Sequence, residues 1–266
     1  MTISFGVVIS TYNAPEMLRL VLESYARQTD TGFHLYIADD GSGPETRQVI
    51  EVFRKSSPVP ITHMHHEDEG FRKARIHNRI IAQAEEDYLL LTDGDCMPLP
   101  GLVAAHRRLA SQGYFVSGSR ILLSKALSRR LQAAGNAVPD LNLPRMLTWR
   151  MQGGINRLFP LLIPPRLSAS HTRLHGIRGC HLSCWRSDLI RVNGFDETFE
   201  GWGREDSDLA ARLLHAGFRR RDLRGLPVLH LWHNEAPRQR LAENDAILRQ
   251  CLDEQRIRAK KGITEL

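Results

Sequence analysis

No window of the 266-residue sequence holds the eighteen or so consecutive apolar residues that a membrane-spanning helix requires. The first residues, "MTISFGVVIS", lack the basic region and long apolar core of a secretory signal peptide. Cysteine is scarce: Cys96, Cys180, Cys184 and Cys251 form no CxxC pair and no repeated spacing, and read as reduced thiols. There is no internal repeat and no low-complexity linker. These absences point to a soluble, cytoplasmic protein. What remains is ordinary globular composition, 42% hydrophobic and 25% charged, enough for one large α/β domain or two smaller ones. A net charge of +6 suits acidic partners such as nucleotide phosphates, anionic lipid headgroups or nucleic acid.

Short apolar runs alternate with helical periodicity over the first half. Phe5–Ser10 reads as a strand, and "TYNAPE" follows it as a helix start, with Asn13 suited to cap and Pro15 to the first turn. "FHLYIA" is a second strand, Pro44–Lys55 a second helix, "VPITHMHH" a weaker strand and Lys73–Glu86 a third helix. Strands alternating with helices imply right-handed βαβ units and a parallel sheet, whose ligands bind beyond the strands' carboxyl ends. Three polar clusters fall at such ends: Thr11-Tyr12-Asn13, Asp39-Asp40, and Asp93-Gly94-Asp95.

Asp93 and Asp95 lie two apart at a strand end, so both carboxylates can serve one ligand, and Gly94 lets the backbone approach closely. Hard oxygen donors in that arrangement suit Mg²⁺ or Mn²⁺. "GWGREDSD" is a second constellation: Glu205 and Asp206 open a helix, whose dipole keeps an acid ionised as a general base must be. Trp202, between two glycines, suits stacking on a sugar face. His230 and His233 end the strand-like "LPVLHLWH", and either can complete the ligand set of a cation on Asp95. Cys96 has no Cys or His partner at zinc spacing, and "HMHH" at 63–66 has no partnering pattern and reads as structural. Helical periodicity also covers "EDSDLAARLLHAG", and a charged helix is expected over Arg238–Lys261.

Together, "VVISTYNAPEMLRLVLESYARQT", "YIADDGS", "GFRKARIHN", "YLLLTDGDCMP" and "VNGFDETFEGWGREDSDLAARLLHAG" resemble, in order, the family 2 glycosyltransferases of GT-A fold. The last stretch is similar to β-1,4-galactosyltransferases and chondroitin polymerases. The resemblance implies an α/β fold with a Rossmann-like, mostly parallel central sheet flanked by helices. It implies one continuous domain: a nucleotide-sugar half over 1–120, a basic amphipathic insertion over 121–175, and an acceptor-binding, catalytic half over 176–266. By position, Thr11, Tyr12 and Asn13 match the first nucleotide loop, and Asp40, with Asp39, the acid that bonds the base. Arg72, Arg75 and Asn78 match residues approaching the ribose and diphosphate. Asp93 matches the acid near the ribose and Asp95, beside Gly94, the metal ligand. Trp202 and Gly203 match the sugar platform, Asp206 the catalytic base and Glu205 the acid beside it. His233 is favoured over His230 as the metal's histidine, with both retained. Arg204 departs from a position where relatives often carry glycine.

The expected activity is therefore an inverting, metal-dependent hexosyltransferase, using a nucleotide sugar, a UDP-sugar for preference. Its acceptor would be a saccharide or lipid-linked saccharide of surface polysaccharide or lipopolysaccharide biosynthesis. A nucleotidyltransferase would need a glycine- and basic-rich triphosphate loop after the first strand, and "STYNAPEM" is neither. A nucleic-acid-binding protein would interleave aromatics with its positive charge. Ile121–His175 instead sets eight Lys and Arg residues against one acid, Asp140, with few aromatics. That stretch reads either as a solvated basic face or as an amphipathic flap in peripheral contact with an anionic membrane, at the inner face of the cell membrane.

Overall fold

The computed structural model describes residues 3–134, 142–234 and 237–265. Its strands are β1 (Phe5–Thr11), β2 (Phe33–Asp39), β3 (Ile61–His65), β4 (Tyr88–Asp93), β5 (Cys96–Met97), β6 (Tyr114–Ser117), β7 (Arg120–Leu122), β8 (Arg166–Leu167), β9 (Leu182–Trp185), β10 (Arg219–Arg224) and β11 (Val228–His230). Eight of them form one sheet in the order β3-β2-β1-β4-β9-β6-β10-β8, and β5-β11-β7 form a small second sheet. The first four are mutually parallel, and β9 runs antiparallel to both β4 and β6.

The crossovers are the helices Pro15–Tyr25, Pro44–Arg54 and Lys73–Gln83. Two begin with proline, whose fixed φ is preset for a first turn and whose missing N–H costs nothing there. Asn13 does not cap the first of them. It sits at φ 46°, and its Oδ1 accepts from Gly43 N at 2.9 Å, which ties the β1 loop to the β2 loop instead.

β1 reads as an unbroken apolar run because both its faces are covered. Val7 and Ile9 pack with Leu18, Leu22 and Tyr25 on one side, while Val8 packs with Ile76 and Ile80 on the other. The helix Glu205–His215 buries Leu209 and Leu213 and also the ion pair of Arg212 Nε with Asp208 Oδ2 at 2.7 Å. The expected long terminal helix is shorter, Leu241–Asp253. The chain beyond it turns back to bond residues 193–197, where Lys260 N donates to Asp196 Oδ2 at 2.9 Å. Residues of the 121–175 stretch also enter the main core: Leu127, Leu131, Trp149 and Ile155 are buried there.

A chain of polar groups crosses the sheet behind these layers. His181 Nδ1 lies 3.1 Å from the Ser119 carbonyl, and its Nε2 lies 2.9 Å from His106 Nε2. His106 Nδ1 lies 2.8 Å from Ser183 Oγ, which lies 3.0 Å from Tyr88 Oη. A carbonyl only accepts, so His181 carries a proton on Nδ1, and burial disfavours a second proton on either ring. Burial pushes both below the ordinary range, His181 to about 4. A base with a depressed folded pKa is protonated first in the unfolded chain, so stability is present above about pH 6.5 and lost as pH falls toward the folded value. For His181 alone the loss should reach roughly 3 kcal/mol. Urea midpoints should fall over this range and fall less in His106→Gln. Burial raises Glu205 to about 7, which acts with opposite sign, so the variant comparison isolates the histidines.

Candidate active site

Strand register builds the site. Thr11 lies opposite Asp39 and Ser10 opposite Asp93, so β1, β2 and β4 end side by side at their carboxyl edge. A Cβ on Gly94 would stand 3.0 Å from the Ser10 carbonyl oxygen, so the turn after β4 closes only with glycine or a local shift. The same carbonyl accepts from Gly94 N at 2.7 Å.

At the β1 and β2 ends, Thr11 is buried with its Oγ1 unpartnered, while Tyr12 is 51% exposed and donates to Asp68 Oδ2 at 2.9 Å. Asp39 accepts from Ser42 N at 2.8 Å and meets His63 Nε2 at 2.9 Å. Burial opposes ionisation, yet the bonds from His63 and Ser42 hold Asp39 below the usual carboxylate range. Asp40 accepts from Arg72 N at 3.0 Å and meets His66 Nε2 at 2.7 Å, but here burial prevails and raises it. His63 and His66 thus do have partners, and both partners are acids singled out in the sequence. β3 pairs with β2 in register, Ile37 opposite His63, and that long-range pairing is invisible in the linear order.

Lys73 is the residue the sequence reading missed. Its Nζ donates to Asp93 Oδ1 at 2.7 Å and lies 4.0 Å from Glu205 Oε1, tying the β4 end to the helix at 205. Ser10 Oγ donates to the same Asp93 oxygen at 2.8 Å. The neighbouring cations are placed elsewhere. The Arg72 guanidinium bonds Glu69 and the Glu67 carbonyl, and Arg72 and the exposed Arg75 line a hollow of about 370 Å³ with Glu197, Glu200 and Arg240. Asn78, expected near a ligand, is fully buried. It accepts from Phe195 N at 2.7 Å and donates to the Phe195 carbonyl at 2.9 Å and to Glu197 Oε1 at 3.0 Å. Its amide is used up in pinning that loop.

β5 pairs antiparallel with β11, setting His230 opposite Cys96, and Leu231 N donates to the Asp95 carbonyl at 2.8 Å. Asp95 Oδ2 therefore lies 2.9 Å from His233 Nε2 and 3.6 Å from His230 Nε2. Burial would raise Asp95, but the bond from His233 and the charge of His230 bring it down to about 2. Its carboxylate in turn pushes His233 up to about 9, while burial lowers His230. The Asp95 carboxylate, with an imidazole on either side of its Oδ2, offers one hard oxygen donor and two nitrogen donors to a divalent cation. Cys96 is less isolated than its sequence spacing suggests. Its Sγ lies within 4.8 Å of donor atoms of Asp93 and Cys180, and likewise of Asp95 and His230.

The helix Glu205–His215 brings the last two acids. Asp206 accepts from Gly179 N at 2.8 Å through Oδ2 and from Ser207 N at 2.6 Å through Oδ1. A Cβ on Gly179 would come within 3.1 Å of the Asp206 Cβ, so a larger residue there would push the Asp206 side chain aside by a few tenths of an ångström. Glu205 is 8% exposed, with Oε2 unpartnered. Burial and the Asp206 charge raise it to about 7 against the pull of Lys73. Before them, Gly201, Gly203 and Arg204 take positive φ, 69°, 109° and 80°. Glycine would adopt the Arg204 backbone without strain; here the side chain is held by Asp245 Oδ1 at 2.5 Å. The turn leaves Trp202 41% exposed, with the Arg238 guanidinium 5.0 Å from its ring centre.

Residues 6–156 match the family model for glycosyl transferase family 2, and residues 167–233 match that for the N-terminal domain of galactosyltransferase. The chain is 28% identical over 258 residues to validoxylamine A glucosyltransferase of Streptomyces hygroscopicus subsp. jinggangensis, covering 90% of this chain and 56% of that protein. It is 21% identical over 239 residues to hyaluronan synthase of Pasteurella multocida, covering 86% of this chain and 24% of the synthase. The chain thus spans about half the length, or less, of these relatives. Among solved structures, Staphylococcus aureus TarS 1-349 in complex with UDP-GlcNAc superposes with a TM-score of 0.63 at 14% identity, covering 98% of this chain and 68% of that one. The Pyrobaculum calidifontis mannosyltransferase PcManGT, in complex with GDP-Man and Mn²⁺, gives 0.59 at 15%, covering 96% and 72%. At such identities the likeness is one of fold, and the fold is GT-A.

Proposed function

The chain belongs to glycosyl transferase family 2, and from that premise we propose that it is an inverting glycosyltransferase. It takes a nucleotide-diphosphate sugar, a UDP-sugar in our reading, and passes the sugar to a saccharide acceptor of surface polysaccharide or lipopolysaccharide biosynthesis. The observation that carries this reading is Lys73, whose ammonium is within 4.0 Å of both Asp93 and Glu205. Donor-side and acceptor-side carboxylates therefore share one cleft.

In that cleft Tyr12 and Asp40, with Asp39 beside it, receive the base, and Asp93 the ribose. Asp95, with His233 as the nearer histidine and His230 behind it, would hold a divalent cation. When bound, Mn²⁺ or Mg²⁺ supplies charge neutralisation on the diphosphate. Trp202 and Gly203 form the sugar platform. Asp206, fixed by two backbone N–H groups, takes the acceptor hydroxyl proton as that oxygen bonds the anomeric carbon. The bond from that carbon to the diphosphate oxygen breaks on the opposite face, and the nucleoside diphosphate leaves with its electron pair. One displacement inverts the centre, so no enzyme nucleophile is required. Glu205, neutral for part of the time near pH 7, can donate a hydrogen bond to a sugar hydroxyl. Acceptors carried on lipid place the protein at the inner face of the cell membrane.

A thermal-shift screen of nucleotide sugars with and without Mn²⁺ tests the reading. Binding to the native state alone stabilises by about 2.7 kcal/mol at a hundredfold excess over Kd. UDP-sugars should raise Tm, and more so with Mn²⁺. Failure of every nucleotide sugar, with RNA raising Tm instead, would reverse it.

A further inference from the structure

We propose that the helices Leu143–Met151 and Phe159–Leu162, which lie between β7 and β8, form a docking platform for an anionic lipid surface. The inference deepens the membrane-side acceptor reading above but draws on different residues. Of the twelve large hydrophobic side chains exposed among the described residues, five lie on the two helices Leu143–Met151 and Phe159–Leu162. Isolated exposed apolar residues are ordinary, but five of them on two short neighbouring helices call for a partner.

The helix Leu143–Met151 shows how they are arranged. Leu143, Leu147 and Met151 recur every four residues on one stripe and are 49%, 42% and 87% exposed. Trp149 projects from another side of the same helix and is buried in the main core. The stripe is thus held outward by an anchored helix. The short helix Phe159–Leu162 follows and adds Phe159, 69% exposed, and Leu162, 51% exposed. Apolar side chains on a short surface helix, with cations beside them, match the composition of helices that lie in a membrane interface.

Charge selects among occupants. Arg150 falls within the exposed stripe by helical spacing, and Arg129, Arg130, Arg157 and Arg166 are exposed nearby in the chain. The stretch 121–175 has one acid against eight Lys and Arg residues. A second copy of this chain would bring like charges together across a symmetric contact. An anionic headgroup layer satisfies both the arginines and the apolar stripe.

The platform also adjoins the cleft. Leu123 N donates to the His230 carbonyl at 2.9 Å, and Ser128 Oγ accepts from Trp232 N at 2.8 Å. The helix Lys125–Ala133 is therefore fastened to the segment carrying both candidate metal histidines. A protein lying on its platform would keep that end of the cleft near the lipid surface.

Co-flotation with phosphatidylcholine vesicles, with and without phosphatidylglycerol, tests this. The protein should float with the anionic vesicles only, and salt should release it. Met151→Ser with Phe159→Ser should weaken binding about tenfold or more. Arg129→Gln, Arg130→Gln and Arg150→Gln should each weaken it about fivefold. Thermal shifts by UDP-sugar should be unchanged in every variant, which separates failure of the platform from failure of the catalytic reading and from misfolding. Equal flotation with neutral vesicles, no flotation, or variants that float normally would overturn the proposal. So would a lipid-free dimer abolished by Met151→Ser, which would make the stripe a self-contact.

Discussion

Asp206→Asn is expected to lower kcat by about 10²- to 10⁴-fold while leaving donor binding nearly intact. The expectation rests on how the carboxylate is held. Its oxygens accept from Gly179 N at 2.8 Å and Ser207 N at 2.6 Å, and each retains a lone pair for an acceptor hydroxyl. Asparagine keeps the shape but cannot take the proton, and its NH₂ would face one of those N–H groups. Some loss of stability should therefore accompany the loss of turnover, and the donor-induced thermal shift separates the two. Glu205→Gln is the companion variant. Burial and the Asp206 charge push Glu205 up to about 7, and Lys73 opposes them. The neutral Glu205 is the hydrogen-bond donor, so kcat/KM should fall as pH rises through about 7, and Glu205→Gln, a donor at every pH, should flatten that limb. If Asp206→Asn keeps more than about a tenth of the native kcat, Asp206 is not the base. If Glu205→Gln costs more than Asp206→Asn, the roles are exchanged.

The site was legible in the sequence where a local pattern carries it. Asp93 and Asp95 announce themselves because acids rarely end a strand buried on both faces, and Glu205 and Asp206 because they open an amphipathic helix. What escaped depends on contacts between distant residues. Lys73 lies at the start of a helix, and nothing local distinguishes it from Arg72 or Arg75. Only the crossover onto the sheet brings its ammonium to Asp93 while Arg72 turns to Glu69. His63 and His66 acquire their acids through the β2–β3 register, and Cys96 acquires Cys180 through folding across 84 residues. Asn78 is a different case. Its position in a motif suggests a ligand, and nothing local shows that its buried amide also clamps the loop at Phe195. The Arg204 departure is legible in part: a backbone at φ 80° favours glycine, and the arginine's tie to Asp245 offsets some of the strain.

Asp95→Asn should abolish metal-dependent donor binding, whereas Asp93→Asn should only weaken it. The two carboxylates are one residue apart on either side of Gly94, yet they keep different company. Asp95 Oδ2 faces His233 at 2.9 Å and His230 at 3.6 Å, and is held at about 2, so it is fully ionised at any working pH. Asparagine there would leave two imidazoles without their anion and remove the hard donor that a divalent cation needs. Loss of cation-borne stabilisation is worth several kcal/mol, so transfer should drop by about 10³-fold or more. Asp93 Oδ1 instead accepts from Ser10 Oγ at 2.8 Å and Lys73 Nζ at 2.7 Å. Asparagine can still accept from one of them, and Lys73 retains Glu205, 4.0 Å away. The loss is then that of a charge-assisted hydrogen bond, about 10- to 100-fold. Titrating UDP-sugar by thermal shift, with Mn²⁺ and then with a chelator, reads both effects. Chelator should reduce the native protein to the Asp95→Asn level and leave that variant unchanged, while Asp93→Asn should still respond to Mn²⁺. A Mn²⁺ response that survives in Asp95→Asn and vanishes in Asp93→Asn would exchange the two assignments and move the cation to the Lys73 side of the cleft.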